Sequence, residues 1–447
     1  MTQRLLSSVA LTAVVAVLVL ATADLVAAEA QADEKSRPGS DDGENHEQMF
    51  PVGHTIRTIK VTGTLGESRP VNVHLWYPAR ALEDCNEARA ADHGNDDRTC
   101  ATPSVYTSRL YGVPLLPQWN PLSWTIGSSQ SFDDVRLARG HGPFPVILFS
   151  HGNQNNAVDY AYTLEALASF GFIVAAPDHV NNTADDVRID FVNAAAGFEL
   201  IPCFDGLPPP CSRQGVPKSL TDRVHDLSAV IDALPSWFGE HADLRRIGVL
   251  GHSRGTVTAL AAAGGSTTWG FPPEPRIKAI MGLAIGATAI TFGANVHNIT
   301  VPALLLAGTL DTTAPAAISQ AAYDALASTD KQLILIQNAK HRHFDSGLCA
   351  QTQSAGSIAQ SNPQAILDRQ TVQLLLTFPS SGTSTDFCGF DTFTTPDDIR
   401  PFVATISGVV VTPTTVPATD LTSATVEAEV VKLAGRYFGR VLDRDEP

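Results

Sequence analysis

The sequence predicts an α/β protein, with a mostly parallel central sheet, helices on both faces and inserted loops. Three observations carry this. From Pro145 onward, short and nearly continuous apolar runs such as PVILFS, GFIVAAP, PALLLA and LILI alternate with segments of helical spacing, the pattern of strands covered on both faces. The run from Arg246 to Ala263, RIGVLGHSRGTVTALAAA, passes from strand through Gly-His-Ser-Arg-Gly into an alanine-rich, helix-compatible stretch. With 447 residues, 44% of them hydrophobic, the chain can bury a core large enough for one domain with insertions.

Residues 1–28 have an early cation at Arg4, an apolar stretch from Leu11 to Leu20 and small residues at Val26, Ala27 and Ala28. This three-part pattern predicts a cleaved secretory signal, cut after Ala28 or Ala30, rather than a spanning anchor. Residues 29–50 are acidic and polar, too poor in apolar groups to offset the entropy of ordering, and predict a flexible leader. The remainder, 51–447, reads as one α/β domain with insertions at about 80–140, 180–218 and 350–423. Its first elements are an antiparallel strand pair, HTIRTIKVTGT and RPVNVHLWYPA, in which Val71, Val73 and Leu75 alternate with polar residues. Residues 80–140 show no sustained periodicity, are rich in Asp, Asn, Ser and Pro, and carry Cys85 and Cys100, which predicts a stapled excursion.

The parallel core begins with the strand PVILFSHGN; a helix from Tyr160 to Phe170 and the strand GFIVAAPDH follow. The proline-rich 180–218 stretch predicts a cap over the strand ends. Ser219 to Trp237 predicts a helix with Val224, Leu227, Val230, Ile231 and Leu234 on one face. After the serine-bearing strand and helix come strands at Ile277–Ile285, Val301–Ala307 and Gln332–Ile336, and a helix at Ala316–Leu326. An amphipathic helix from about Ala424 to Leu442 closes the fold, and there is no internal repeat.

Six cysteines form sequence-near pairs, Cys85 with Cys100, Cys203 with Cys211, and Cys349 with Cys388. In an exported chain an even count predicts disulfides, for which these proximate pairings are favoured, and no CxxC pair has a matching partner for a zinc site. The net charge of −16 without any basic run argues against nucleic acid and against docking on an anionic membrane. No segment after residue 28 is long and apolar enough for stable membrane insertion.

Gly-His-Ser-Arg-Gly after a buried strand fits a nucleophile elbow, in which small residues two before and two after the serine, here Gly251 and Gly255, let strand and helix pack around a strained turn. Ser253 is the candidate nucleophile; the plainer reading is a serine N-cap on a surface helix. A serine hydroxyl needs an adjacent base, and the base needs a third group to orient it. In elbow hydrolases the chain order is serine, acid, histidine. Asp311 follows PALLLA, whereas the loop after the preceding strand, Gly286 to Ala289, has no carboxylate. Beyond Asp311 the chain contains only His341 and His343; His341, nearer the strand end, is preferred, with His343 as its competitor. Asp311 also has a plainer reading, as the cap of the following helix. An oxyanion needs aimed donors, for which the backbone N–H groups of Arg254 and Asn153 are the candidates.

Together WYP at Trp76–Pro78, FSHGN at Phe149–Asn153, APDH at Ala176–His179, DRVHD at Asp222–Asp226, GHSRG, and HRHF at His341–Phe344 resemble the dienelactone-hydrolase-like and platelet-activating-factor-acetylhydrolase-like branch of the α/β-hydrolase superfamily. The resemblance covers about 53–349 and the last helix. It implies Ser253 as nucleophile, His341 as base through H-x-x-F, and Asn153 with Arg254 as oxyanion donors. The acetylhydrolases carry their acid after the strand that here ends at Ile285, and dienelactone hydrolases proper are smaller, intracellular and use cysteine at the elbow. The expectation is therefore a secreted or periplasmic serine hydrolase of small-molecule or polymeric carboxylic esters, with no metal or organic cofactor. A lipase or phospholipase is the alternative enzyme, ahead of an amidase; a binding protein on an inactive hydrolase scaffold is the alternative of a different class.

Overall fold

Strands β1 (Val52–Thr62) and β2 (Ser68–Pro78) pair antiparallel, from Val52 opposite Pro78 to Thr62 opposite Ser68, as their alternation predicts. The computed structural model describes residues 50–64, 66–80, 102–109, 123–153, 155–180, 182–183, 216–286, 293–345 and 423–442, all within one unit running from Gln48 to Pro447. The segments expected to form a signal sequence and leader, up to residue 49, all six cysteines, and most of the insertions expected at 180–218 and 350–423 lie outside the described residues.

The excursion at 80–140 contains two strands, β3 (Thr102–Arg109) and β4 (Ser123–Asp133), which pair antiparallel and extend the sheet past β1. These strands form where the sequence shows no sustained periodicity, and the reason is chemical. In β3 the inward residues are Ser104 and Tyr106 while Val105 is 57% exposed, so the alternation has inverted polarity. Tyr106 is paid for by a buried cluster: its hydroxyl accepts from Trp76 Nε1 at 2.8 Å and donates to Glu165, which also accepts from Ser131 Oγ at 2.8 Å.

The parallel core follows: β5 (Phe144–Ser150), a 3-10 turn (Ala157–Tyr160), α1 (Ala161–Ser169), β6 (Ile173–Pro177), α2 (Val216–Phe238), β7 (Ala242–His252), α3 (Arg254–Gly264), β8 (Ile277–Leu283), β9 (Ala303–Gly308), α4 (Ala316–Ala325), β10 (Lys331–Ile336), a 3-10 turn (His341–Phe344) and α5 (Ser423–Leu442). Among the described residues the ten strands form one sheet in the order β10-β9-β8-β7-β5-β6-β2-β1-β4-β3. The six strands from β10 to β6 are mutually parallel, and β2 joins them antiparallel. Strand β7, flanked by β5 and β8, is central and buried.

Side chains of β5 alternate between the two faces. Val146 and Leu148 pack with Leu220, Leu227, Ile231 and Leu234 of α2 and Val257 of α3; Ile147 and Phe149 pack with Leu164 and Leu167 of α1 and Val430 and Phe438 of α5. Leu220, Leu227, Ile231 and Leu234 are each at most 1% exposed, and burying side chains of this kind stabilises by about 1.5–3 kcal/mol each. No helix among the described residues is long and apolar enough to cross a membrane.

At the antiparallel end, His54 Nδ1 lies 3.2 Å from Asp133 and its Nε2 lies 3.1 Å from His74 Nδ1. Burial, with His74 alongside, holds His54 down to about 4 from 6.5. Burial and the nearby Arg223 guanidinium likewise hold His151 and His179 well below the ordinary imidazole value. These rings stay neutral in the fold but protonate in the unfolded chain, so stability falls as pH drops from about 6.5 towards 4. Asp226, pushed up to about 6 by burial, acts in the opposite sense and offsets part of this loss. Chemical denaturation is expected to show lower stability at pH 4.5 than at pH 7, with His54→Gln removing roughly 1–3 kcal/mol of that difference; an unchanged slope would exclude His54 as its source.

Candidate active site

Ser253 sits between the end of β7 and the start of α3 with φ 53° and ψ −115°, a region that costs a non-glycine residue about 1–3 kcal/mol. Its neighbours hold it there. Ser253 N–H donates to Leu283 O at 2.8 Å, its carbonyl accepts from Thr256 N at 3.0 Å, and Thr256 Oγ1 is 2.7 Å from Gly251 O. The flanking glycines are sterically required: a Cβ on Gly251 would overlap the Gly255 backbone, and one on Gly255 would overlap the Ser150 carbonyl oxygen.

His341 enters from the 3-10 turn after β10. Its Nε2 lies 3.0 Å from Ser253 Oγ and its Nδ1 lies 2.8 Å from Asp311 Oδ2. Asp311, just beyond β9, is itself fixed: its Oδ1 accepts from Thr313 N at 2.9 Å and Ala314 N at 2.6 Å. Asp311 does not cap the following helix, whose N-cap is Pro315; one carboxylate oxygen holds the turn before that helix and the other faces His341. His343 faces its own turn instead, accepting from Lys340 N–H at Nδ1 at 2.6 Å.

The loop after β5 lies beside this group. Asn153 Oδ1 accepts from Arg254 Nη1 at 3.0 Å and from Asn182 Nδ2 at 2.7 Å, joining the residues that carry the two candidate oxyanion donors. Beneath them is a polar layer whose residues no sequence motif assigns to a role. Arg223, 1% exposed, donates to Asn182 Oδ1, the His151 carbonyl and Ser150 Oγ. His151 Nδ1 donates to Gly152 O at 2.7 Å, so its Nε2 accepts from His179 N–H at 3.0 Å. Ser150 Oγ donates to His179 Nε2 at 2.9 Å, and His179 Nδ1 donates to Asp226, also 2.9 Å away, which accepts from Arg69 at 2.8 Å. Strings such as DRVHD and APDH were visible in the sequence; that they share one buried network was not, because their partners come from distant segments.

Chemically, this arrangement can activate a hydroxyl by proton transfer and hold a developing oxyanion against the first turn of α3, whose unsatisfied N–H groups carry the positive end of the helix dipole. Among the described residues no group of three or more His, Cys, Asp or Glu could hold a metal ion. Gly255→Ala is expected to destabilise the fold by more than about 4 kcal/mol or to prevent folding, measured by denaturation and soluble yield. Near-native stability would show that the strand and helix need not approach this closely.

A family model described as PETase, PET hydrolase-like, matches residues 160–359, a span containing Ser253, Asp311 and His341. The chain is 28% identical over 256 residues to cutinase est1 of Thermobifida alba, covering 56% of this chain and 71% of that protein. It is also 28% identical over 138 residues to the chloroplastic chlorophyllase-1 of Citrus sinensis, covering 30% of this chain and 31% of the relative. A ferulic acid esterase structure from Streptomyces cinnamoneus aligns over 91% of this chain and 96% of its own, with 17% identity and a TM-score of 0.48. With its family match and its curated relative, and with a serine elbow on a mostly parallel sheet, the chain has an α/β-hydrolase fold and is a carboxylic-ester hydrolase.

Proposed function

We propose that this hydrolase cleaves esters through an acyl-enzyme on Ser253. His341 Nε2 takes the Ser253 hydroxyl proton as Oγ attacks the ester carbonyl, and Asp311 fixes the Nδ1–H tautomer and stabilises the imidazolium. The negative oxygen of the tetrahedral intermediate is met by the backbone N–H groups of Arg254 and Asn153. The proton then passes from His341 to the departing alcohol. Water, deprotonated by the same histidine, attacks the acyl carbonyl and releases the acid, restoring Ser253.

One observation carries this reading: the continuous contact from Ser253 Oγ through His341 to Asp311, at 3.0 and 2.8 Å, on a strained elbow. The sequence pattern of residues 1–28 supports export to the cell exterior or periplasm, where the six cysteines pair as disulfides. A cutinase relative and a PET hydrolase-like family match support hydrophobic esters, polyesters included, as the substrate class.

The test is hydrolysis of p-nitrophenyl esters from acetate to long acyl chains by the mature protein, Ser253→Ala and Asp311→Asn. Ser253→Ala is expected to fall to background, and Asp311→Asn to lose on the order of 10⁴ in kcat with little change in KM. A short-chain optimum is expected, and a long-chain optimum would favour the lipase reading. Equal activity of wild type and Ser253→Ala would remove the serine mechanism.

A further inference from the structure

We propose that His252, the residue before the nucleophile, is a positioning residue that holds the backbone of His341 at working distance from Ser253, with Tyr160 fixing its ring. This rests on the Ser253–His341–Asp311 reading and adds a member that touches neither substrate nor the reacting atoms.

His252 is the last residue of central strand β7 and is 1% exposed. Its Nε2 lies 3.2 Å from the His341 carbonyl oxygen. A carbonyl only accepts, so Nε2 carries the proton, and the Nδ1 of the neutral ring is left as an acceptor. Tyr160 supplies that donor: its hydroxyl is 2.7 Å from His252 Nδ1 and accepts from Gly152 N–H at 3.2 Å. The proton order is thus Gly152 N–H to Tyr160 O, Tyr160 O–H to His252 Nδ1, and His252 Nε2–H to His341 O. One ring connects the loop after β5, the 3-10 turn that leads into α1, the elbow strand and the turn bearing the candidate base.

The His341 turn needs such a tie. It is a four-residue 3-10 turn reached through Asn338 at φ 62°, whereas β7 is held by strands on both sides. The His252 ring also packs against His341 at 4.8 Å and Phe344 at 6.0 Å between centroids. Packing alone would be served by any ring of that size; the hydrogen bond to the His341 carbonyl needs a donor at Nε2. That difference separates positioning from core filling.

The experiment compares wild type, His252→Phe, His252→Gln and Tyr160→Phe, with Ser253→Ala as the blank. Readouts are kcat and KM on p-nitrophenyl acetate, the inactivation rate by a fluorophosphonate, and Tm. His252→Phe keeps an aromatic ring and removes the donor; kcat and the inactivation rate are expected to fall about 10²-fold with KM nearly unchanged, the size of effect that an ångström of misplacement produces. His252→Gln, whose amide N–H can occupy the Nε2 position, is expected to recover to within about a few-fold of wild type. Tyr160→Phe keeps the ring on Phe149 and is expected to lose kcat by a smaller factor.

Wild-type kcat in His252→Phe, or His252→Gln as impaired as His252→Phe at equal Tm, would overturn the proposal. If His252→Phe does not fold, Tyr160→Phe decides: wild-type kcat there overturns it and a selective loss of kcat upholds it. Activity remaining in Ser253→Ala would instead remove the serine mechanism on which the proposal stands, a result distinct from any effect at His252.

Discussion

The contact between Gly255 and the carbonyl of Ser150 is the constraint on which the candidate site depends. It brings the first turn of α3 against the end of β5, and so sets the Arg254 amide and the Asn153 loop near each other. It also leaves Ser253 no ordinary backbone conformation. The strain is local and modest, and the central strand β7, paired on both sides and buried on both faces, over-determines it. Ser253 is thereby attached to a strand paired on both sides, whereas His341 and Asp311 arrive on connections after β10 and β9.

Beneath the loop after β5, several charges are buried together: Arg69, Arg223, Asp222 and Asp226 are each at most 2% exposed. Removing charges from water costs several kcal/mol apiece, and replacing such groups with apolar ones is often neutral or stabilising. What the polar layer provides is direction. Arg223 pins the His151 carbonyl and the Ser150 hydroxyl, His151 pins the Gly152 carbonyl, and the peptide planes of the loop after β5 have little freedom left. An apolar filling would preserve volume and lose this orientation.

Most of the parallel core was legible in the sequence because its strands are short apolar runs and its helices repeat at helical spacing. Element ends moved by a residue or a few: the first core helix begins at Ala161 after a 3-10 turn, and α2 runs from Val216 to Phe238 rather than Ser219 to Trp237. Strands β3 and β4 were not legible, since Tyr106 and Ser104 face inward where apolar side chains are expected. At the site, motif and chain order singled out Ser253 and Asp311 as candidates and preferred His341 to His343; the structure brings these three side chains together and turns His343 toward Lys340. The contacts of Arg223, His151 and His252 were hidden for a deeper reason: each is made with a partner supplied by a different segment of the chain.

The layer under the elbow has a further consequence. Ser150, His179 and Asp226 reproduce the side-chain order of Ser253, His341 and Asp311, with both links at 2.9 Å, from the end of β5, the connection after β6 and helix α2. Yet all three are fully buried, and Arg223 occupies the approach to the hydroxyl. A search for catalytic centres by side-chain distances alone would return this molecule twice. What separates the two constellations is topological: one hydroxyl is at the tip of a turn and the other is sealed within a wall.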